Sequence, residues 1–444
     1  MEQTLTIEAL SYGSAGIAHA GDGKTIFVEQ GVPGDVVRVA IDEDKPRFAR
    51  GHILEVLQDG PARIQTPCPY ATACGGCPWQ HIAYETQLEA KRENITAQLV
   101  RIGGINSKQA DNLVEACRAS KQQMSYRNKI EMAVGRDKAG RLALGFRRQD
   151  SHELIAVDRC PLATRHLERA PKALRGALRF LAGGNEHTTD DNPLGLYRVG
   201  VRSSERTGST EIALWTKPGV FPRAAAARTL SSTLKATSIV RVLAYEGKQR
   251  SIKGVEVLAG KGFWQETLAG FTYRISAPSF FQVNTAQAEQ LISLVIEGLD
   301  ITETSHVADL YSGAGTFTLP LADRAGEVIA VESASSSVRD LRRNAETAGV
   351  WVDVRGGDSA RELAHMGHLD ALVVDPPRAG LTEAAIAGIA QAQPARLAYV
   401  SCEPATWARD VARLADYGYT LTRVTPVDLF PQTYHCELVS IFSR

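Results

Sequence analysis

The chain has 444 residues, more than one ordinary domain holds, so we expect two or three domains. Its 44% hydrophobic and 23% charged residues are typical of a soluble globular protein, and 50 basic residues balanced by 50 acidic ones exclude bulk charge as a means of binding nucleic acid. There is no apolar run of about 18 residues and no signal-peptide pattern at the N-terminus. We therefore expect a cytoplasmic protein with no membrane partner, and no obligate protein partner is evident.

Residues 1–58 predict a small β-barrel. Alternating apolar and polar residues at 5–10, 36–41 and 51–57 indicate short strands, and Gly31–Asp35 has the composition of a turn. The stretch Gln58–Pro61 has the polar, Gly- and Pro-containing composition of a domain boundary.

A cysteine cluster opens the second segment, residues 61–265. Cys68, Cys74 and Cys77 lie within ten residues beside prolines and glycines, and Cys160 follows later in the segment. In a reducing compartment such cysteines favour metal binding over disulfides. Four thiolates suit either a [4Fe–4S] cluster or a zinc site, and the unequal C-x₅-C and C-x₂-C arms favour the cluster. The alternative is a set of buried cysteines without metal.

The rest of this segment predicts a mixed α/β domain. A helix is expected over Tyr84–Ile102, with a polar face rich in Lys, Arg, Glu and Gln, and another over Arg223–Ala236. Strands are expected at Lys129–Val134, Leu142–Arg147 and Glu211–Trp215.

Residues 266–444 change to an alternation of strands and helices. Apolar strands are predicted at Val307–Tyr311, Glu327–Val331, Ala371–Val374 and Leu397–Val400, with a helix over Ser335–Gly349. This alternation is typical of a parallel sheet with helices on both faces. The fold class expected for the whole chain is multidomain α/β.

A glycine turn follows the first of these strands. The sequence Tyr311-Ser312-Gly313-Ala314-Gly315 lets the backbone approach a ligand, and Glu332, at the end of the next strand, is placed to bind ribose hydroxyls. The dinucleotide fingerprint needs a third glycine, but position 318 is Thr, so S-adenosylmethionine fits better than NAD or FAD. The alternative is a plain strand–turn–helix connection.

Two further strand ends and one later segment carry reactive side chains. Asp375 opens an Asp-Pro-Pro sequence after one strand, Cys402 follows the next, and Glu437 precedes the last apolar run. A cysteine at such an edge can be a nucleophile, although most free cysteines are small buried hydrophobes. Cys436 points away from Glu437 in an extended segment, so we expect it to serve in packing.

Methylation of uracil at carbon 5 would use these residue types together. A thiolate adds to carbon 6, the resulting enolate attacks the methyl of S-adenosylmethionine, and a general base removes the proton at carbon 5. Cys402, Glu437 and the glycine turn supply the nucleophile, the base and the site for the methyl donor.

The chain resembles the bacterial RNA uracil-5-methyltransferases, specifically the iron–sulfur branch that modifies 23S ribosomal RNA. The resemblance covers almost the whole chain and rests on the glycine turn and on four segments: Ser279–Asn284, Asp375–Gly380, Ser401–Thr406 and Phe430–Glu437. It implies an OB-like TRAM domain that binds RNA at 1–58, a central domain with the cluster at 61–265, and a Rossmann-like methyltransferase domain at 266–444.

The resemblance also implies residue roles. Cys402 would be the nucleophile and Glu437 the proton acceptor. The methyl donor would be contacted by Gln282, Tyr311, Glu332, Asp375 and, on weaker grounds, Asp358. A [4Fe–4S] cluster would be held by Cys68, Cys74, Cys77 and Cys160. The chain departs from the family at Thr316 and Glu403, where Asn is common, which leaves open one cofactor contact and the field beside the nucleophile.

Three other classes of protein explain the sequence less well. Radical S-adenosylmethionine enzymes use three cluster cysteines in a tighter spacing, and nitrogen methyltransferases follow Asp-Pro-Pro with an aromatic residue, whereas this chain has Arg378. A non-catalytic RNA-binding protein would not need Cys402 and Glu437. The resemblance to the iron–sulfur branch favours 23S ribosomal RNA as the substrate, and transfer RNA is the alternative, because some transfer-RNA enzymes of the family also carry a cluster.

Overall fold

The structure is a computed structural model that describes residues 2–149, 151–183, 194–245, 247 and 252–444. Its described strands form three large sheets and one separate hairpin. None of the described helices has the length and apolar content that crossing a bilayer requires.

The first sheet is formed by the N-terminal residues. Its strands are β1 (Glu2–Thr6), β2 (Ala9–Leu10), β3 (Ala15–His19), β4 (Thr25–Glu29), β5 (Val36–Asp44) and β6 (Phe48–Gln58). They are ordered β1-β5-β6-β4-β3-β2 around an apolar core. The predicted alternation over 5–10 is divided between β1 and β2, because Ile7 turns away and exchanges backbone hydrogen bonds with Gly34 and Asp35.

Two helices, α1 (Tyr84–Arg101) and α2 (Ser107–Leu113), follow the cysteine loop. The prediction of α1 is confirmed to within one residue, but its polar face is not uniformly solvated. Gln87 and Lys91 are fully buried, because α1 packs against the C-terminal sheet and these side chains bond to Gln432 and Asp428 of that region.

The second sheet forms the centre of the chain. Its elements are β7 (Lys129–Arg136), β8 (Leu142–Arg147), β9 (Leu154–Ala156), α3 (Ala170–Leu181), β10 (Leu196–Ser203), β11 (Thr210–Thr216), α4 (Arg223–Thr233), β12 (Ser238–Ala244) and β13 (Ile252–Gly260). The strand order is β13-β12-β11-β10-β7-β8-β9, with α3 and α4 covering one face. The helix predicted to reach Ala236 ends at Thr233, because Lys235 adopts a left-handed conformation.

The third sheet and the hairpin complete the fold. The elements are β14 (Trp264–Leu268), β15 (Phe271–Ile275), α5 (Thr285–Leu299), β16 (His306–Leu310), α6 (Thr318–Ala322), β17 (Glu327–Glu332), α7 (Ser335–Ala348), β18 (Asp353–Gly356), α8 (Ser359–Leu363), β19 (Ala371–Val374), α9 (Glu383–Ala392), β20 (Arg396–Ser401), α10 (Pro404–Ala415), β21 (Thr420–Val427) and β22 (Glu437–Ser443). The order is β18-β17-β16-β19-β20-β22-β21, with an apolar core on each face.

The prediction of a parallel sheet is correct for five strands and wrong for the last two. β18, β17, β16, β19 and β20 are parallel, whereas β22 pairs antiparallel with both β20 and β21. The chain returns from β21 to β22 through residues 428–436 without a helix, and only an antiparallel pair can be joined by so short a connection. This return places the start of β22 beside the end of β20.

The packing crosses the proposed domain limits. Ile95 and Leu99 of α1 and Ala110 of α2 belong to the core on one face of the third sheet, although they lie within the segment assigned to the central domain. β14 spans residues 265 and 266 and packs in the core on the other face. The three-domain division at 58 and 265 stays a proposal.

Candidate active site

The glycine turn lies at the carboxyl end of β16. Tyr311, Gly313 and Gly315 all have positive φ values of 63°, 56° and 99°. A Cβ on Gly315 would stand 2.6 Å from Cδ1 of Leu341, so only glycine allows the turn to pack on α7. The turn is therefore tight for two independent reasons, its backbone conformation and its contact with the helix.

Glu332, at the end of β17, is bound to this turn. Its Oε2 accepts a hydrogen bond from the backbone N–H of Gly313 at 2.9 Å, and its Oε1 accepts one from Ala334 at 2.6 Å. The carboxylate is half-buried and faces the glycine turn, where the sequence predicts the ribose contact.

Three carboxylates meet beside the turn. Burial, together with the charges of Asp375 and Glu332, raises the pKa of Asp309 to about 7 against the opposing effect of a hydrogen bond donated by Thr318. Burial likewise raises the pKa of Asp375 to about 7. The Oδ1 of Asp309 is enclosed and accepts no hydrogen bond within the described residues. A group of incompletely bonded carboxylates suits a cationic ligand, and S-adenosylmethionine carries sulfonium and ammonium groups.

Asp309 was missed in the sequence analysis, although the signal was present. It is a carboxylate inside the apolar strand Val307–Leu310, where an unpaired charge is costly. A charged residue at such a position indicates either a buried partner or a ligand.

Tyr311 and Asp358, which are also predicted to contact the methyl donor, lie at the same edge of the third sheet. Burial raises the pKa of Tyr311, the charge of Asp358 adds to this shift, and a hydrogen bond with Ser359 opposes it. Asp358 is exposed, and its Oδ1 caps α8 by accepting from the N–H groups of Ala360 and Arg361. One oxygen of Asp358 is thus used by the helix.

Gln282 lies in the connection between β15 and α5. It is held there by Asn128, the residue just before β7 of the second sheet. Its backbone carbonyl accepts from Nδ2 of Asn128 at 3.0 Å, and the N–H of Asn128 donates to Val283 at 2.9 Å. The Gln282 side chain is buried. The roles predicted for Gln282, Tyr311, Glu332, Asp375 and Asp358 stay predictions.

Cys402 and Glu437 are brought together by strand register. Ser401 pairs with Leu438 in the antiparallel ladder of β20 and β22, so the next step of that ladder sets Cys402 opposite Glu437. Burial, together with the charges of Glu437 and Asp375, raises the pKa of Cys402 to about 12. Burial also raises the pKa of Glu437 well above its usual range. Burial therefore disfavours the thiolate of Cys402 and the carboxylate of Glu437 in the free protein.

Arg378 supplies positive charge to this site, a role that was not predicted from the sequence. Its charge lowers the pKa of Cys402 and of Glu437 against the effect of burial. It lies in the turn after β19, next to Pro376 and Pro377, and its side chain is exposed. Cys436, by contrast, is buried in the core behind β22, where we expected it to pack.

Glu403 is one of the two positions at which the chain differs from the family pattern, and it lies between Cys402 and α10. Burial raises the pKa of Tyr12, which lies between β2 and β3, and the charge of Glu403 contributes to this rise. Thr316, the other departure, is half-buried in the glycine turn.

The four cluster cysteines line one cavity of about 340 Å³, together with Arg127 and Phe280. Burial raises the pKa of Cys74, Cys77 and Cys160, and the cysteines raise one another's pKa further. Within the described ranges no three Cys, His, Asp or Glu side chains converge on a point that could hold one metal ion.

Comparisons with known proteins place the chain in a family. Residues 1–54 match the TRAM domain, and residues 223–354 and 362–444 match the family described as tRNA (Uracil-5-)-methyltransferase. An uncharacterized RNA methyltransferase of Gloeobacter violaceus is 37% identical, covering 99% of this chain and 96% of that protein. One from Halalkalibacterium halodurans is 32% identical, covering 98% and 96%.

A solved structure is similar over the whole length. The tRNA (uracil-54, C5)-methyltransferase of Pyrococcus abyssi, in complex with S-adenosyl-L-homocysteine, has 26% identity and a TM-score of 0.76, with 99% of both chains covered. The N-terminal TRAM domain and the Rossmann-like methyltransferase fold are thereby confirmed. The chain belongs to the RNA uracil-5-methyltransferase family and is an S-adenosylmethionine-dependent RNA methyltransferase.

Proposed function

We propose that this enzyme methylates carbon 5 of a specific uridine in 23S ribosomal RNA through a covalent intermediate on Cys402. The observation that carries the proposal is the register of β20 and β22, which sets Cys402 beside Glu437 at the edge where Asp375 and the glycine turn also end. The proposed nucleophile, proton acceptor and S-adenosylmethionine site then lie at the same edge of the third sheet.

The proposed reaction begins at Cys402. Its thiolate sulfur forms a bond to carbon 6 of the uracil, and carbon 5 of the resulting enolate attacks the methyl group of S-adenosylmethionine, releasing S-adenosylhomocysteine. Glu437 then takes the proton from carbon 5, and the bond between sulfur and carbon 6 breaks to give the product and a free thiolate. The raised pKa of Glu437 makes its carboxylate a stronger base than an exposed glutamate.

The cysteine cavity supports a second element of the proposal, a [4Fe–4S] cluster on Cys68, Cys74, Cys77 and Cys160. The four cysteines line one cavity of about 340 Å³, and the resemblance to the iron–sulfur branch assigns the cluster to them. The cluster would fix the loop 68–77 in place, and no catalytic step is assigned to it. Anaerobically purified protein should contain iron and sulfide in equal amounts, and Cys160→Ser should lose both. Zinc in place of iron would refute the cluster.

Transfer RNA is the second candidate substrate. The matching family is described by transfer RNA, and the similar Pyrococcus abyssi enzyme acts on uracil-54 of transfer RNA. Ribosomal RNA is favoured by the resemblance to the iron–sulfur branch. The chemistry at Cys402 would be the same with either RNA.

The decisive experiment uses RNA that contains 5-fluorouridine. Fluorine at carbon 5 cannot leave as a proton, so a thiolate mechanism traps a protein–RNA adduct that survives denaturation. We expect an adduct with 23S ribosomal RNA in the presence of S-adenosylmethionine, and none with Cys402→Ala. An adduct only with transfer RNA would change the substrate, and an adduct that persists in Cys402→Ala would refute the nucleophile.

A further inference from the structure

Tyr12 belongs to the first sheet, yet it lies beside the loop that leads to Glu437. It occupies the turn between β2 and β3, and its ring meets that of Tyr434 edge to face, with centroids 5.6 Å apart. The turn is fixed by Trp79, whose Nε1–H donates to the carbonyl of Gly13 at 2.9 Å. The position of Tyr12 is therefore set by three separate parts of the chain.

The hydroxyl group of Tyr12 has no function in the fold. Its oxygen is closed off from water and makes no hydrogen bond to any described residue. A buried polar group without a partner is unfavourable and rare. Burial raises the pKa of Tyr12, and the charges of Glu403, Cys436 and Cys402 raise it further, so the phenol stays neutral and remains a hydrogen-bond donor.

Tyr12 also lines a cleft of about 570 Å³, a volume typical of ligand sites. We call it the Tyr12 cleft; the side chains that characterise it are those of Tyr12, Phe27, Arg50, Arg147, Arg148 and Tyr434. No Asp or Glu lines it in the described part of the chain, although the whole protein has a net charge of zero. The cleft is thus a local concentration of arginine and aromatic groups.

The three arginines differ in how far their charge is already compensated. Arg148 is paired with Glu153 at 2.6 Å, and Arg50 lies 3.6 Å from Glu43 and over the ring of Phe27. Arg147 is exposed and donates to the carbonyl of His152, and among the described residues no carboxylate lies within 4 Å of it. Its guanidinium is the one in the cleft most available to an anion.

We propose that the Tyr12 cleft receives the single-stranded RNA adjoining the target uridine, with Tyr12 donating a hydrogen bond to an oxygen of that RNA and Arg147 pairing with a phosphate. Aromatic faces and unpaired arginines are the groups that bind unstacked nucleotides. A base must also leave its helix before chemistry at carbon 5, which leaves its neighbours unstacked. This inference rests on the proposed function, because the target uridine is placed at Cys402.

Tyr12→Phe tests the positioning role of the hydroxyl. The ring contact with Tyr434 is kept and only the unpartnered hydroxyl is lost, so the variant should fold with an unchanged or higher melting temperature. With unmodified RNA transcripts as substrate, we expect kcat/KM to fall about five- to tenfold, mainly through KM for RNA, with unchanged affinity for S-adenosylmethionine. Wild-type kinetics in Tyr12→Phe would overturn the role of Tyr12.

Arg147→Ala tests the phosphate contact, with Arg228→Ala as the matched control. Arg228 is an exposed arginine on α4 that does not line the cleft. Binding of a fluorescein-labelled single-stranded oligouridine should weaken in Arg147→Ala, and the slope of log affinity against log salt should fall by about 0.7, the value for one phosphate on a single strand. Equal losses in both variants would overturn the cleft as the RNA path.

The two proposals fail in different ways. If the wild type methylates uridine while Tyr12→Phe and Arg147→Ala match it, the cleft inference is wrong and the proposed function stands. If the wild type does not methylate uridine but its affinity for oligouridine depends on Arg147, the proposed function is wrong and the cleft stands. Failure of the wild type to bind oligouridine would overturn the inference directly.

Discussion

Lys91 and Asp428 lie 337 residues apart in sequence and form an ion pair in which both side chains are fully excluded from water. Asp428 also accepts a hydrogen bond from the hydroxyl of Tyr84 at 2.7 Å. Two side chains of α1, Tyr84 and Lys91, therefore donate to this aspartate. Asp428 begins the loop that ends at Glu437. The helix after the cysteine loop therefore fixes the segment that carries the proposed base.

Lys91→Met should destabilise the protein, because it leaves the carboxylate of Asp428 buried with only part of its charge compensated. We expect a loss of about 3–5 kcal/mol in the free energy of unfolding, measured in urea. The double variant Lys91→Met, Asp428→Asn should recover much of this loss. Equal stability of Lys91→Met and the wild type would show that the pair does not hold the loop.

Arg378→Met should slow the reaction of Cys402 with iodoacetamide at neutral pH. The charge of Arg378 favours the thiolate, while burial raises the pKa of Cys402 to about 12. Only the thiolate reacts, so the rate should rise with pH in both proteins and the variant's curve should lie at higher pH. Cys402→Ala identifies the labelled residue, and an unshifted curve would exclude Arg378 as an influence on the thiol.

Binding of S-adenosylmethionine should strengthen as the pH rises through about 7. Burial holds the pKa values of Asp309 and Asp375 near 7, so both are largely neutral at pH 5.5 and charged at pH 8.5, and a cation prefers the charged forms. Calorimetry in buffers of different ionisation enthalpy should show proton release on binding near pH 6.5. Asp309→Asn should bind more weakly at pH 8.5 and depend less on pH. Affinity that is independent of pH would contradict this assignment.

Gly315→Ala should abolish or strongly weaken binding of the methyl donor. The new Cβ would meet Leu341 at 2.6 Å, in a backbone conformation with φ of 99° that alanine avoids. Gly313→Ala is the matched control, because its φ of 56° is strained but its Cβ has open space. That control should cost about 1–2 kcal/mol in stability. Equal binding by the two variants would show that the contact with α7 is unimportant.

Glu437→Gln should accumulate a covalent adduct with ordinary, fluorine-free RNA. Without the base, the intermediate that has received its methyl group keeps the proton at carbon 5 and cannot release the cysteine. A denaturing gel with radiolabelled methyl donor should show a labelled protein–RNA band that is absent from Cys402→Ala. Normal turnover by Glu437→Gln would transfer the role of base to another group.

The sequence alone determined those features that depend on local pattern. Apolar runs placed four strands of the third sheet, β16, β17, β19 and β20, to within one or two residues, because strand formation there follows from continuous burial. The turn at Gly313 and Gly315 and the acid at Glu332 were identifiable because a fixed spacing along one strand–turn–strand unit brings them together. The motifs around Cys402 and Glu437 were sufficient to indicate the family.

Only the tertiary structure decided the relationships between distant segments. The antiparallel insertion of β22 next to β20, which joins Cys402 to Glu437, depends on pairing across the sheet and not on either strand's own sequence. Gln87 and Lys91 look like solvated helix residues until α1 is packed on the third sheet. Tyr12 carries no signal in its own segment, because its significance comes from the cleft formed where the first sheet, the cysteine loop and the loop before Glu437 meet. Local pattern encodes periodicity and turns, whereas long-range packing determines which groups lose water and which charges become neighbours.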